Sequence, residues 1–155
     1  MSKKGSKKNK SRINIKGETT GVLPLSLEEQ LKEQMEAPMV RLRYACAIDV
    51  MQGKLRMLNA DLTEQKNRQV VRSMSARIKS TDSIIKKLLR KGREVTFEEA
   101  VETLNDIAGI RISCSFTSDI YLIADMISKQ NDLTILARRD YMKNPKKSGY
   151  RSYHM

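Results

Sequence analysis

Between Arg138 and His154 the chain reads RRDYMKNPKKSGYRSYH. Six basic side chains crowd into this stretch (Arg138, Arg139, Lys143, Lys146, Lys147 and Arg151), with Tyr141, Tyr150 and Tyr153 threaded among them and the single histidine of the chain, His154, at its end. Asn144-Pro145 and Ser148-Gly149 form turns, so the centre reads as a loop. Cations beside flat rings suit a ligand that carries phosphates and a base, because the charges hold the phosphates and a ring face stacks the base. The same composition also describes a solvated basic loop.

A second constellation lies upstream. Arg77 and Lys79 are two apart in a segment of alternating character, so they share one face of a strand. Ser83 and Lys87 are four apart on the helix that follows, so they share one face of it. The turn between strand and helix can gather these groups around one cavity, and a helix N-terminus adds free amides and partial positive charge. That equipment suits a polyphosphate, although an ordinary amphipathic helix has the same spacing. The sequence has no Walker-type GxxxxGK[ST], so any nucleotide cradle here is of another kind. Asp106 stands just before the next strand, where a carboxylate facing phosphate-binding cations can hold Mg²⁺ through oxygen. A turn-forming aspartate is the plainer alternative.

The elements that position these groups follow from caps and periodicity. Ser26 and Glu29 form a capping box for a short helix ending near Ala37, ahead of Pro38. Pro38 opens a second helix whose Val40, Tyr44, Ile48, Met51, Leu55 and Leu58 recur every three or four residues. A polar link is expected from Asp61 to Arg68. A strand is expected from Val70 to Lys79, with Arg72 breaking its apolar parity. Ser80 or Thr81 caps a helix to Lys91 that Gly92 stops, and Thr96 with Glu99 boxes a helix to about Asn105. Gly109 to Phe116 alternates as a strand with Ile110, Ile112, Cys114 and Phe116 on one face. Ser118 is expected to cap a helix whose Ile120, Ile123, Met126 and Ile127 face inward. Leu133 to Ala137 reads as a strand, and a final strand opens near Tyr150. Alternating strands and helices predict an α/β (α+β) domain with a mixed sheet.

The 155 residues make about one domain. No apolar run approaches the length of a membrane span, and no apolar stretch follows the positive N-terminus as in a secretory signal. Cys46 and Cys114 are far apart and one histidine is present, which argues against a zinc site and fits a reducing cytoplasmic setting. The net charge is +12, and residues 1–16 carry seven basic side chains and no acid, leaving +5 to the remainder. Such a tail buries too little apolar surface to order itself; it suits single-stranded RNA or simply solubility.

Taken in order, Arg77-x-Lys79-x-x-x-Ser83-x-x-x-Lys87, Asp106-Ile-Ala-Gly-Ile-Arg111-Ile, Ser118-Asp-Ile-Tyr121 and Arg139-Asp-Tyr-Met-Lys-Asn-Pro-Lys-Lys-Ser-Gly-Tyr-Arg-Ser-Tyr-His154 resemble the synthetase domain of the RelA/SpoT family, in particular the small alarmone synthetases. The resemblance runs from about Val70 to Met155. It implies a cytoplasmic stringent-response GTP pyrophosphokinase that moves pyrophosphate from ATP to the 3′-hydroxyl of GDP or GTP, giving (p)ppGpp. It implies a nucleotidyltransferase-like mixed sheet flanked by helices. By the same resemblance, Arg77, Lys79, Ser83 and Lys87 hold ATP and Asp106 binds Mg²⁺. Tyr150 stacks guanine, with Arg139, Lys146 and His154 on the acceptor nucleotide. Arg139 stands where lysine is common, which keeps the charge and changes the bond geometry.

On this basis residues 1–22 are a basic disordered tail and linker, 23–68 a pair of helices, and 69–155 the synthetase core. The family places its catalytic glutamate on a strand beyond the histidine, past Met155. The expectation is therefore a sheet incomplete at the C-terminus, little or no activity from these 155 residues, and no copy of the C-terminal helices through which the family homo-oligomerises. The alternative from another class is a non-catalytic module binding guanine nucleotide or single-stranded RNA.

Overall fold

The computed structural model describes residues 25–155; the basic tail, and with it the reading of an RNA-binding segment, lies outside the described residues. The Ser26 hydroxyl accepts from the Glu29 amide and the Glu29 carboxylate accepts from the Ser26 amide at 2.8 Å, which starts α1, Leu27–Glu36. Pro38 occupies the first turn of α2, Pro38–Lys66. The polar link expected from Asp61 is instead the last turns of this helix. Leu62, 1% exposed, is why the helix continues: its burial rewards another turn inside an otherwise polar run. The helix stops where Asn67 turns left-handed at φ 47°.

β1, Val71–Ile78, pairs antiparallel with β2, Ala108–Cys114. The register shifts between Val71 and Ser73, so Arg72 is the extra residue of a bulge. That bulge explains why Arg72 falls on the apolar parity. Beyond it, Met74 faces Ile112, Ala76 faces Ile110 and Ile78 faces Ala108, while Ser75 and Arg77 face Arg111 and Gly109 on the other side. The Lys79 amide donates to the Ile107 carbonyl at 2.7 Å, which carries the ladder one residue further and fixes the start of the next turn.

α3, Thr81–Arg90, starts at Ser80 and ends at Lys91, with Gly92 at φ 64° where a side chain would be strained. α4, Phe97–Thr103, is shorter than expected. Thr96 accepts from the Glu99 amide, but the Glu99 carboxylate lies 3.4 Å from Arg93. α5, Thr117–Ser128, begins one residue before the expected cap: Phe116 holds the N-cap position, and Ser118 lies in the first turn. Phe116, expected on the apolar strand face, is 55% exposed, its ring beneath the Arg68 guanidinium at 4.5 Å.

The strand expected over Leu133–Ala137 is not formed. Leu133 and Ile135 are half-buried, but Leu136 is 78% exposed and the segment has no ladder partner among the described residues, so it does not form a strand. The basic loop is closed instead by a two-residue ladder of β3, Arg139–Asp140, with β4, Tyr153–His154. Both ladders among the described residues are antiparallel and two-stranded. Helices and small sheets thus make a mixed α and β fold with a helical N-terminal segment.

Two cores result. Leu31 and Met35 of α1 pack with Ile84 and Leu88 of α3 and with Ala100 and Leu104 around α4. Leu55 and Leu62 of α2 pack with Val70, Val71 and Ile123 under the β1–β2 pair. Between α2 and α5, Asp119, 1% exposed, receives a bidentate Arg68 at 2.7 and 2.8 Å. The Arg68 hydrogen bonds hold the Asp119 carboxyl below the usual carboxylate range against its burial.

Candidate functional site

The turn from β1 into α3 places Lys79, Ser83 and Lys87 on the wall of one cavity of about 240 Å³. Lys86 and Arg90 complete that wall. Positions 83, 86, 87 and 90 form one helical face, so the spacing that drew attention to Ser83 and Lys87 also contained these two cations. The cavity runs along the flank of α3. Arg77 does not line it: it lies exposed on the outer face of β1, where Arg111 of β2 shares its parity.

Asp106 pairs with both of the lysines. Its two oxygens take Lys79 at 3.1 Å and Lys87 at 2.5 Å, and the lysine side chains are only 15% and 22% exposed. Burial pushes the Asp106 carboxyl up, and the bonds from Lys87 and Lys79 outweigh it, holding the group below its ordinary value. The result is a half-sunken cationic trough with one carboxylate between two ammonium groups. Among the described residues there is no cluster of three or more histidine, cysteine, aspartate or glutamate side chains of the kind that cages a metal ion by itself. Mg²⁺ commonly uses one or two carboxylates together with substrate phosphates, so Asp106 beside a phosphate-sized cationic trough fits it as a single protein ligand.

The second group is gathered by the β3–β4 ladder. Arg139 pairs with His154, and a turn from Lys146 to Gly149, with Gly149 at φ 80°, brings Lys146 back beside Tyr150. The Tyr150 hydroxyl and His154 Nε2 share a hydrogen bond of 3.0 Å. Tyr141 meets both rings edge-on, at 6.2 Å from Tyr150 and 5.2 Å from His154. The Lys146 ammonium stands over Tyr141 at 4.7 Å and over Tyr150 at 5.2 Å. Arg139, Lys146, Tyr150 and His154 are therefore brought together, and Tyr141, to which the sequence reading gave no role, forms their aromatic wall. Burial, with the charges of Lys146, Arg139 and Arg111, pushes the His154 imidazole below its ordinary value and favours its neutral form. Tyr150 is 38% exposed, enough ring for a base to stack on.

One group gathers cations and a hydroxyl around a cavity, and the other sets cations beside aromatic rings. Comparison with known proteins gives the chain a family. A family model described as the region found in RelA/SpoT proteins matches residues 76–155, which include both groups. The chain belongs to the RelA/SpoT family. GTP pyrophosphokinase YwaC of Bacillus subtilis is 39% identical over 112 residues, covering 72% of this chain and 53% of that protein. GTP pyrophosphokinase YjbM of the same organism is 34% identical over an equal span. Among solved structures, small alarmone synthetase 1 of Bacillus subtilis bound to its product pppGpp superposes with a TM-score of 0.67 at 34% identity, over 78% of this chain and 60% of that one. A GTP pyrophosphokinase family protein from Streptococcus pneumoniae gives 0.64 at 33% identity, over 71% and 53%. The chain spans about half the length of the curated relatives it matches. No helix among the described residues is long and apolar enough to cross a membrane.

Proposed function

We propose that this chain binds the phosphates of ATP in the trough of Lys79, Ser83 and Lys87 and a guanine nucleotide on the Tyr150 loop. The reaction is transfer of a pyrophosphoryl group from ATP to the guanosine 3′-hydroxyl. In that transfer the 3′-oxygen bonds to the β-phosphorus of ATP, the bond between the α and β phosphoryl groups breaks, and AMP leaves. The observation that carries the reading is the pair Lys79 and Lys87, both bonded to Asp106, on the wall of a cavity of about 240 Å³ that Ser83 also lines.

Transfer of this kind asks for positioning and charge neutralisation more than for covalent catalysis. Lys79 and Lys87 are largely sunken and so partly prepaid in conformational freedom; they exchange one carboxylate for phosphate oxygens. Ser83 donates a hydroxyl from the same wall, and Lys86 and Arg90 extend the positive surface along it. Arg77 is assigned to the adenine-nucleotide side from the outer face of β1. Asp106 would hold Mg²⁺, which when bound supplies further neutralisation of the phosphate charge. On the acceptor side Tyr150 stacks the base, while Arg139, Lys146 and His154 meet the phosphates. The neutral imidazole leaves His154 able to take up a proton as those phosphates arrive. As the new bond forms, the 3′-hydroxyl gives up its proton to a general base.

The reading requires two sites that fill together. Equilibrium dialysis with Mg²⁺, a non-hydrolysable ATP analogue and GDP is expected to give one of each nucleotide bound per chain, neither displacing the other. Displacement of the analogue by GDP at a single shared site would contradict it.

A further inference from the structure

Tyr121 belongs to neither nucleotide group, yet it holds one of them in place. It sits on α5, two residues after the buried Asp119 that Arg68 anchors. Its hydroxyl donates to both oxygens of Asp140, at 3.0 and 3.2 Å. The same Asp140 side chain accepts the amides of Met142 and Lys143, each at 2.9 Å, and its carbonyl accepts the Asn144 amide at 3.2 Å. These bonds set the direction in which the chain leaves β3, and Tyr141 is the first residue it carries. The Tyr141 amide in turn donates to the Ser152 carbonyl at 2.9 Å, which places its ring against Tyr150 and His154. From the other strand, Tyr153 meets the Tyr121 ring edge-on at 5.6 Å. The Lys143 ammonium lies 5.6 Å from the centre of that ring. Both strands of the loop are therefore referred to one side chain on an anchored helix.

We propose that Tyr121 is a positioning residue for the guanine-nucleotide loop, its hydroxyl acting through Asp140 to set where Tyr141, Tyr150 and His154 stand. The inference rests on the reading of that loop as the acceptor site for its consequence in binding, but the tether itself is measurable without any nucleotide. Partial burial and the bond to Asp140 push the Tyr121 phenol up, so the hydroxyl keeps its proton and remains the donor.

Tyr121→Phe removes the hydroxyl and leaves the ring contacts with Tyr153 and Lys143. His154 is the only histidine of the chain, so its imidazole resonances titrate without overlap in an NMR experiment on the full chain. Lys146, Arg139 and Arg111 are the charges that face it, with the Tyr150 hydroxyl as its bond partner. In Tyr121→Phe the loop loosens, and the His154 titration is expected to move up toward that of an ordinary histidine. GDP affinity is expected to fall several-fold with affinity for the ATP analogue and the melting temperature unchanged. An unchanged His154 titration would overturn the tether. So would equal losses for GDP and the ATP analogue, because that pattern is general loosening. Failure of the unmodified chain to bind GDP would sink the acceptor-site reading instead, and the tether would still stand or fall on the His154 titration.

Discussion

At the scale of single residues, Asp106 occupies Lys79 and Lys87, the two lysines proposed to receive an incoming phosphate, and this makes its removal informative in sign. Asp106→Asn frees Lys79 and Lys87 from their carboxylate while deleting the ligand assigned to Mg²⁺. ATP binding in the absence of magnesium should therefore hold or tighten, and the gain on adding magnesium should shrink; a calorimetric titration at both conditions reads it. An unchanged magnesium dependence would reduce Asp106 to a structural counter-ion. His154 works in the opposite sense. Its lowered value means that the folded state binds fewer protons than the unfolded chain between the folded value and the ordinary one of 6.5. Its contribution to stability is therefore lost as the pH falls through that window. Phosphates beside it favour the protonated ring, so GDP should raise the His154 titration and guanosine should not. Most of these residues were legible in the sequence because like-charged and aromatic side chains at strand and helix periods are unusual. Tyr141 and Tyr121 were not, since their roles depend on which way a turn points, and only the bonds to Asp140 decide that.

Among the elements, α2 shows where period and burial part company. Its inward side chains were readable, but its final turns are polar apart from Leu62, so the pattern suggested a link where packing maintains a helix. Leu62→Ala should cost about 2–5 kcal/mol in denaturant unfolding. Met57 on the same helix is 74% exposed, and Met57→Ala should stay within about 0.5 kcal/mol. A large effect at Met57 with little at Leu62 would reverse the assigned faces. The start of α5 was displaced from expectation for an electrostatic reason. Ser118 offered a cap by type, but the buried Asp119 fixes the first turn through Arg68, and that pairing spans 51 residues of sequence. Such a partner cannot be read from local pattern. Asp119→Asn leaves half of a charged pair uncompensated and should destabilise by about 2–3 kcal/mol, less than a fully buried pair because Arg68 remains partly hydrated. Since the Asp119 carboxyl is held low, its stabilisation is present above the ordinary carboxylate value and is lost as the pH falls toward the folded one. The variant should therefore show a shallower acid limb. The Leu133–Ala137 segment, expected as a strand, forms none because no neighbouring strand among the described residues provides a ladder for it.

Over the whole molecule, the two cores carry different duties. The α1–α3–α4 core backs the lysine trough, and the core under β1 and β2 backs the Arg68–Asp119 anchor from which the tyrosine loop is held. Apart from the end of α2 and the Leu133–Ala137 segment, order along the chain was legible, because the strand–turn–helix unit around Lys79 and the basic loop ending at His154 each have their own local signature. Their joint assignment to one reaction was not a property of either alone. It came from their succession and from the match over residues 76–155. If one chain holds two separate nucleotide sites, Lys87→Ala and Tyr150→Ala should separate them. With an ATP analogue and GDP titrated into each variant by calorimetry, Lys87→Ala should weaken the ATP analogue and spare GDP. Tyr150→Ala should weaken GDP by about 1–3 kcal/mol and spare the ATP analogue. Equal losses for both nucleotides in either variant, or no loss of GDP affinity in Tyr150→Ala, would rule out two separate sites.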